Sequence, residues 1–279
     1  MNFLHDIMVP LKADITKFPN LKFKGIKTDS NKVTKGDIFF AIKGNKYDGH
    51  DYISQAVKSG ACAIITDSHN CELMHPYQIK VENSRKAISS ISASFYNNPS
   101  KRLKIIGITG TNGKTSTAWL ITSIFKEAGL KVAQIGTLGI ITDEKVTKKG
   151  LTTPDPITLH KTFSMLEKNK FTHVIMEVSS HALDQHRVDD VDFDLAIFTN
   201  LTQDHLDYHK SMKSYYLAKS KLFKSLDPKA ISIINNSSEY SEKFKKASNC
   251  KVVTFSKTKK SDFYFDNEFS STLNGITGQ

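Results

Sequence analysis

Residues 106–117 read Ile-Gly-Ile-Thr-Gly-Thr-Asn-Gly-Lys-Thr-Ser-Thr, a glycine-punctuated turn between an apolar strand and a helix. This order of elements builds a phosphate cradle, because glycines let the backbone approach an anion and a helix N-terminus faces it. Gly110 and Gly113 supply the close approach, Lys114 can reach outer phosphates, and the Thr115 hydroxyl can hold Mg²⁺. Residues 104–109 form the buried-type strand, and residues 116–128 carry apolar side chains at helical spacing before Gly129. A strict Walker A loop places glycine five residues before the Gly-Lys pair, where this chain has Ile108. The stretch therefore predicts an α/β nucleotide-binding fold with a variant loop.

Working outward, strand-like and helix-like segments alternate. Strands are expected at 37–42, 61–66 and 78–81, with helices at 50–58 and 84–96. Asn97-Asn98-Pro99-Ser100 then breaks the pattern as a linker, dividing residues 1–98 from 99–279. Beyond it, strands are expected at 104–109, 131–135, 172–178, 195–200, 230–235 and 251–255, with helices at 156–168, 212–225 and 239–247. Such alternation means βαβ units and a largely parallel sheet, whose strand C-termini carry the chemistry. Strand-like residues 263–265 and 271–276 come last without a closing helix, so the second domain is expected to be incomplete at Gln279.

Composition narrows the classes. The 279 residues suit two domains, and no apolar run is long enough to span a membrane. The opening residues lack a basic region followed by an apolar one, so no secretory signal is expected. Cys62, Cys71 and Cys250 are far apart and without metal spacing, which fits reduced thiols and a cytoplasmic location. The formal charge of +11 comes from lysines spread along the whole chain, with arginine only at 85, 102 and 187. Nucleic-acid recognition favours clustered arginine and interleaved aromatics, so no nucleic-acid partner is expected. The positive potential suits polyanionic small substrates instead.

Four further constellations stand at expected loops. Glu177 ends a buried strand, where a carboxylate either faces a phosphate-bound cation or caps the next helix. Asn200-Leu201-Thr202-Gln203-Asp204-His205-Leu206-Asp207-Tyr208-His209 reads as a metal or phosphate site, with both histidines on one helix face, or as a polar helix start. Leu206 after His205 excludes the zinc-protease pattern, which needs glutamate there. Thr152 and Thr153, before Pro154, offer an oxyanion turn or a plain cap, and Gln185-His186-Arg187 offers a carboxylate clamp or a surface turn. Lys219 lies in an amphipathic helix, and nothing in its local sequence marks it out among so many lysines.

The blocks Thr-Gly-Thr-Asn-Gly-Lys-Thr (109–115), Thr-Thr-Pro (152–154), Glu-Val-Ser-Ser-His-Ala-Leu (177–183), Asp-His-Leu-Asp-Tyr-His (204–209) and Ala-Lys-x-x-Leu-Phe (218–223) stand in one order. Together they resemble the Mur ligase family. Thr28-Asp29-Ser30, the run Lys35-Gly36-Asp37-Ile38-Phe39-Phe40-Ala41 and residues 44–49 point to its third-residue-adding branch. The resemblance implies a small N-terminal α/β domain for a UDP-N-acetylmuramoyl (UDP-MurNAc) dipeptide, then a P-loop-type ATPase domain, with a C-terminal ligase domain absent. Ser30, Asn45, Lys46 and Tyr47 match positions that hold the uridine diphosphate end. Thr152, Thr153, Ser179, Gln185 and Arg187 match positions that grip the sugar-peptide. Asn31 and Leu151 depart from the family, where Arg and Asn are often found.

The resemblance also assigns Thr109, Gly110, Thr111, Asn112, Gly113, Lys114 and Thr115 to ATP. It implies two Mg²⁺ ions, one held by Thr115 and one by Glu177, His205 and Lys219, the last as a CO₂-derived carbamate. The reaction it implies is attack of the D-glutamate γ-carboxylate on the ATP γ-phosphate, then displacement of phosphate from the acyl phosphate by a free amino acid. Lys114, Glu177, His205 and Lys219 would be the catalytic residues, in a monomer, with diaminopimelate favoured over L-lysine. Alternatives are the later dipeptide-adding ligase, a folylpolyglutamate synthetase, or a nucleotide- or UDP-sugar-binding module without turnover. The folylpolyglutamate loop usually ends Gly-Lys-Gly, against Gly113-Lys114-Thr115 here.

Overall fold

Apolar runs covered on both faces become parallel strands, because a βαβ crossover lays a helix over the sheet. The computed structural model describes residues 2–8, 19–44, 47–67, 75, 77–143, 145–147, 150–257, 260–264, 270–272 and 275–277. They divide into two compact units. Met1–Pro99, Asp155–Ser164 and Gln185–Asp190 form the first; Ser100–Pro154, Met165–Asp184 and Val191–Gln279 form the second.

In the first unit, β1 (Asn2–Phe3) leads into α1 (Leu4–Met8) and pairs antiparallel with β2 (Lys22–Phe23). A four-stranded parallel sheet follows, built from β3 (Gly25–Lys27), β4 (Asp37–Phe40), β5 (Ala63–Thr66) and β6 (Gln78–Lys80) in that order. Its helices are α2 (Ile53–Lys58) and α3 (Ser84–Phe95). Side chains alternate across the sheet as the strand period requires. Ile38, Phe40, Ala63 and Ile65 join Phe23, Ile88 and Ile91 in one core. Phe39, Ala41 and Ile64 join Val33, Ile53 and Ala56 in another. Each fully buried large side chain contributes roughly 1.5–3 kcal/mol. At the expected linker, Asn97 and Asn98 both take left-handed backbone before a 3-10 turn at Pro99–Arg102.

The second unit is centred on β7 (Lys104–Thr109), whose residues after Lys104 are all buried. α4 (Lys114–Glu127), β8 (Val132–Gly136), β9 (Gly139–Thr142) and β10 (Lys145–Val146) come next. α5 (Pro156–Lys168), which contributes residues to both units, precedes β11 (His173–Glu177) and α6 (Ser180–Asp184). Then follow β12 (Leu195–Phe198), α7 (Leu206–His209), α8 (Met212–Lys224), β13 (Ile231–Asn235), α9 (Ser241–Ala247), β14 (Lys251–Ser256) and β15 (Phe263–Tyr264).

The sheet order is β10-β9-β8-β11-β7-β12-β13-β14-β15. From β8 through β11, β7 and β12 to β15 every pairing is parallel. The chain leaves β7 for β8, returns to β11, and crosses to β12 on the other side of β7. A reversal of that kind opens a crevice above the strand C-termini, and the site forms there. Ile106, Ile108, Val132, Ile175 and Ile197 present one face of this sheet to Ala118, Ile121 and Phe125 of α4.

Two expectations need correction. Only the strand at 131–135 was anticipated between α4 and α5, yet β8, β9 and β10 form an antiparallel meander. The two-residue turn Thr137-Leu138 between Gly136 and Gly139 creates it, with Gly139 at φ +107°. The single strand expected at 271–276 is instead a pair, β16 (Ser270–Thr272) and β17 (Gly275–Thr277), paired antiparallel. Residue 265, placed in the preceding strand, lies outside the described residues.

Candidate active site

The loop between β7 and α4 owes its path to two glycines. Gly110 has φ +155°, and a Cβ there would lie 1.9 Å from Thr199 Oγ1. Gly113 has φ +85° and caps α4 in the left-handed region that glycine tolerates. The end of β12 holds the loop from the side. Thr199 Oγ1 donates to Asn112 O at 2.7 Å, and Asn200 brackets Asn112 with its amide, accepting from Asn112 N at 3.0 Å and donating to Asn112 O at 3.1 Å. Thr111 N donates to Asn200 O at 2.9 Å. The backbone N–H groups that open α4 are thereby presented to a cleft.

That cleft measures about 360 Å³. Thr111, Asn112, Gly113, Lys114, Thr115 and Ser116 line one side; Thr137, Thr152, Glu177, Ser179 and His205 line the other. Thr109 sits fully buried at the end of β7 beneath it.

Glu177, at the end of β11, exposes no surface, yet its carboxylate faces the loop. Oε2 accepts from Thr115 Oγ1 at 2.8 Å and from Thr137 Oγ1 at 3.2 Å; Oε1 accepts from Thr137 N at 2.9 Å. Glycine at 136 is required beside it, since a Cβ there would meet Oε1 at 2.1 Å. A buried carboxylate held by hydroxyls and an amide is hard-oxygen chemistry suited to a divalent cation.

Two lysines converge on one carbonyl. Lys114 Nζ donates to Gly110 O at 2.9 Å and Thr111 O at 2.8 Å, while Lys219 Nζ donates to Gly110 O at 2.8 Å. Lys219 comes from α8, is 1% exposed, and lies over the Tyr215 ring at 4.7 Å. Burial pulls its ammonium far below the ordinary lysine value, and the Lys114 charge pulls the same way. Burial lowers Lys114 as well, opposed by the Glu177 and Asp204 charges. Tyr215 ties these parts together: it is fully buried, and its hydroxyl lies 3.2 Å from Thr111 Oγ1. Thr111 Oγ1 in turn accepts from Thr202 N at 3.0 Å.

The remaining residues assemble in part. Thr153 Oγ1 donates to Glu177 O at 2.9 Å and accepts from Ser179 N at 3.0 Å, joining the Thr-Thr-Pro turn to β11. Thr152 Oγ1 lies 3.2 Å from Thr137 Oγ1. Gln185 and Arg187 belong to the first unit, where Arg187 Nη2 donates to Gln185 Oε1 at 2.6 Å. Ser30 is buried, donates to Gln55 Oε1 at 2.8 Å, and lines a cleft of about 540 Å³ with Thr28, Asp29, Asn31, Tyr47 and Tyr52. Asn45 and Lys46 lie outside the described residues.

His205 takes left-handed backbone (φ +52°) ahead of α7, yet its ring and that of His209 both pack against His181 and Tyr215. His205 is exposed to the cleft, whereas His209 is buried with Nε2 2.9 Å from Ser180 Oγ. Among the described residues no group of three or more His, Cys, Asp and Glu side chains could hold a metal. Thr137, Gly136, Tyr215 and Thr199 escaped the reading of the sequence. The Gly-x-x-Gly at 136–139 was the available signal for the first two.

Two family descriptions match the chain: the Mur ligase middle domain over residues 108–278, and the Mur ligase family catalytic domain over residues 22–96. A relative from Caldanaerobacter subterraneus subsp. tengcongensis, named UDP-N-acetylmuramoyl-L-alanyl-D-glutamate–2,6-diaminopimelate ligase, is 40% identical over 273 residues, covering 98% of this chain and 56% of its own. A protein of the same name from Aquifex aeolicus is 43% identical over 236 residues, covering 85% and 48%. A solved structure of an enzyme of that name superposes with a TM-score of 0.85 at 27% identity, covering 99% of this chain and 56% of that one. MurF from Acinetobacter baumannii shares the fold, with a TM-score of 0.65 at 20% identity. The chain spans about half the length of the curated relatives it matches.

Proposed function

The chain belongs to the Mur ligase family, and from that premise we propose that its protein is an ATP-dependent amide ligase that adds diaminopimelate to UDP-MurNAc-L-Ala-D-Glu in peptidoglycan synthesis. One observation supports this above others: a glycine loop that admits an anion, a buried carboxylate and a buried amine meet around Gly110–Thr115. Binding alone would not need the last two.

The division of labour follows from the chemistry. Residues 1–98 would hold the uridine diphosphate end through Ser30, Asn45, Lys46 and Tyr47, and 99–279 would hold ATP. Backbone N–H groups of residues 110–115 would receive the triphosphate, and Lys114 would exchange its loop carbonyls for the outer phosphates. Thr152, Thr153, Ser179, Gln185 and Arg187 would orient the sugar-peptide. The D-glutamate γ-carboxylate attacks the γ-phosphate, giving an acyl phosphate and ADP. The amine of the incoming amino acid then displaces phosphate, so the protein contributes mostly positioning and charge stabilisation.

The donor set fits divalent cations: Thr115 for one, and Glu177, His205 and Lys219 for a second. Bound there, they would screen the repulsion between triphosphate and carboxylate. Lys219 fits the set only as a carbamate. Its depressed proton affinity favours the free amine, whose nitrogen lone pair adds to CO₂ with loss of one proton, turning a cation into an oxygen ligand. We place this work in the cytoplasm and in a monomer. Among the described residues no helix is long and apolar enough to cross a membrane.

The reading is tested by ADP release from the whole protein. Release is expected only when UDP-MurNAc-dipeptide and diaminopimelate are both present, with L-lysine a poor replacement. Binding of ATP and UDP-dipeptide without turnover under those conditions would return the protein to the binding-module class.

A further inference from the structure

Thr137 stands at the tip of the β8–β9 turn and reaches Glu177 twice, through its N–H to Oε1 and its hydroxyl to Oε2. We propose that Thr137 is a positioning residue: it fixes the Glu177 carboxylate and so sets the affinity of the cleft for a divalent cation. The inference rests on the cation-binding reading of the cleft given above.

Hydrogen-bond capacity carries it. Oε2 already accepts two hydroxyl protons, from Thr115 at 2.8 Å and Thr137 at 3.2 Å. A cation drawing on Oε2 must displace one of them, because both in-plane lone pairs are in use. Thr115 is the hydroxyl with a second role, as a ligand in its own right. Thr137 is then left holding the carboxylate, from a two-residue turn pinned by the Gly136–Gly139 pairing. Its backbone N–H fixes one oxygen and its side chain the other, which sets both the position and the tilt of the group. Gly136 is the complement, since any side chain there would push Oε1 away.

The second contact of Thr137 gives the hydroxyls a direction. With its one proton committed to Glu177, its oxygen accepts from Thr152 Oγ1, 3.2 Å away. A run of oriented hydroxyls, Thr152 to Thr137 to Glu177, thus joins the expected substrate turn to the expected cation ligand. Groups of this kind, which orient a metal ligand without touching the metal, typically govern metal affinity by 10–100-fold.

The test uses Mn²⁺ as the probe, with free Mn²⁺ followed by electron paramagnetic resonance in the presence of ADP. Thr137→Val keeps the N–H and shape but deletes the hydroxyl; it should raise the Mn²⁺ dissociation constant about tenfold or more. Thr137→Ser should restore wild-type binding. Thermal melting should be similar for all, which a purely structural role would not allow. Gly136→Ala leaves Thr137 untouched, displaces the same carboxylate and should weaken Mn²⁺ similarly, so it decides the matter should Thr137→Val not fold. Wild-type affinity in Thr137→Val or in Gly136→Ala, or equal weakening in the valine and serine variants, would overturn the assignment of Thr137. Absence of ADP-dependent Mn²⁺ binding in the wild type would instead remove the cation reading of the cleft, and this inference with it.

Discussion

Two amines on one carbonyl cannot both stay charged cheaply in a buried place. Lys114 and Lys219 both donate to Gly110 O, and Lys219 is the more buried of the two. Burial lowers the proton affinity of Lys219, the direction that the proposed carbamylation of its nitrogen by CO₂ needs. Lys219→Ala should lower turnover of the whole protein by about 100-fold or more, with partial rescue by bicarbonate or short-chain carboxylic acids. Unimpaired turnover in the alanine variant would remove Lys219 from the mechanism. Gly110 is equally exacting. Alanine there would meet Thr199 Oγ1 and Asn200 O and would hold a φ that L-residues avoid. Strain of about 1–3 kcal/mol should weaken ATP binding about tenfold or more, read by calorimetric titration. Tight ATP binding by Gly110→Ala would mean that the loop does not approach the phosphates.

At the scale of elements, the packing of β7 against its neighbours positions the loop. Gly107, midway along β7, faces Phe193, and a Cβ would lie 2.7 Å from Phe193 Cε1 and 3.4 Å from Val178 Cγ2. Gly107→Ala should destabilise the fold by about 1–3 kcal/mol through overpacking, measured as a lower denaturant midpoint. An unchanged midpoint would show that β7 and Phe193 can separate freely. Long elements of this kind were legible in the sequence, because Ile105, Ile106 and Ile108 make a strand that only a doubly covered sheet can bury. The loop was legible for the same reason that it works: its glycines and Lys114 are local. The β8–β9 turn was harder to read, because only its flanking glycines mark it, its central Thr137 and Leu138 are not residues that favour turns, and the strand after it is short. Thr137 and Tyr215 were hidden for a different reason. Their partners, Glu177 and Thr111, lie 40 and 104 residues away, and only the parallel crossovers bring them together.

For the whole molecule, two consequences are open to solution measurement. His160 is fully buried, with neither ring nitrogen hydrogen-bonded among the described residues, and burial lowers it from 6.5 to about 4. A histidine depressed in the fold binds its proton more readily when unfolded. Its contribution is therefore fully present above about pH 6.5, falls as the pH drops toward 4, and is flat below. The full span is about 3 kcal/mol, and His160→Leu should flatten the stability–pH curve across that window. A slope unchanged in the leucine variant would assign the acid sensitivity elsewhere. The 279 residues alone should bind ATP, since they carry the whole Gly110–Thr115 loop and Glu177, with binding read by calorimetric titration. No detectable ATP binding by these residues would contradict that expectation.

The claim on which all of this turns is that the Gly110–Thr115 loop uses ATP to activate a carboxylate. Turnover of UDP-MurNAc-L-Ala-D-Glu carrying ¹⁸O in the γ-carboxylate, followed by mass analysis of the phosphate formed by the whole protein, tests it directly. Attack by that carboxylate on the γ-phosphate predicts that each phosphate released with the amide product carries one ¹⁸O. Unlabelled phosphate at full product yield would contradict the account.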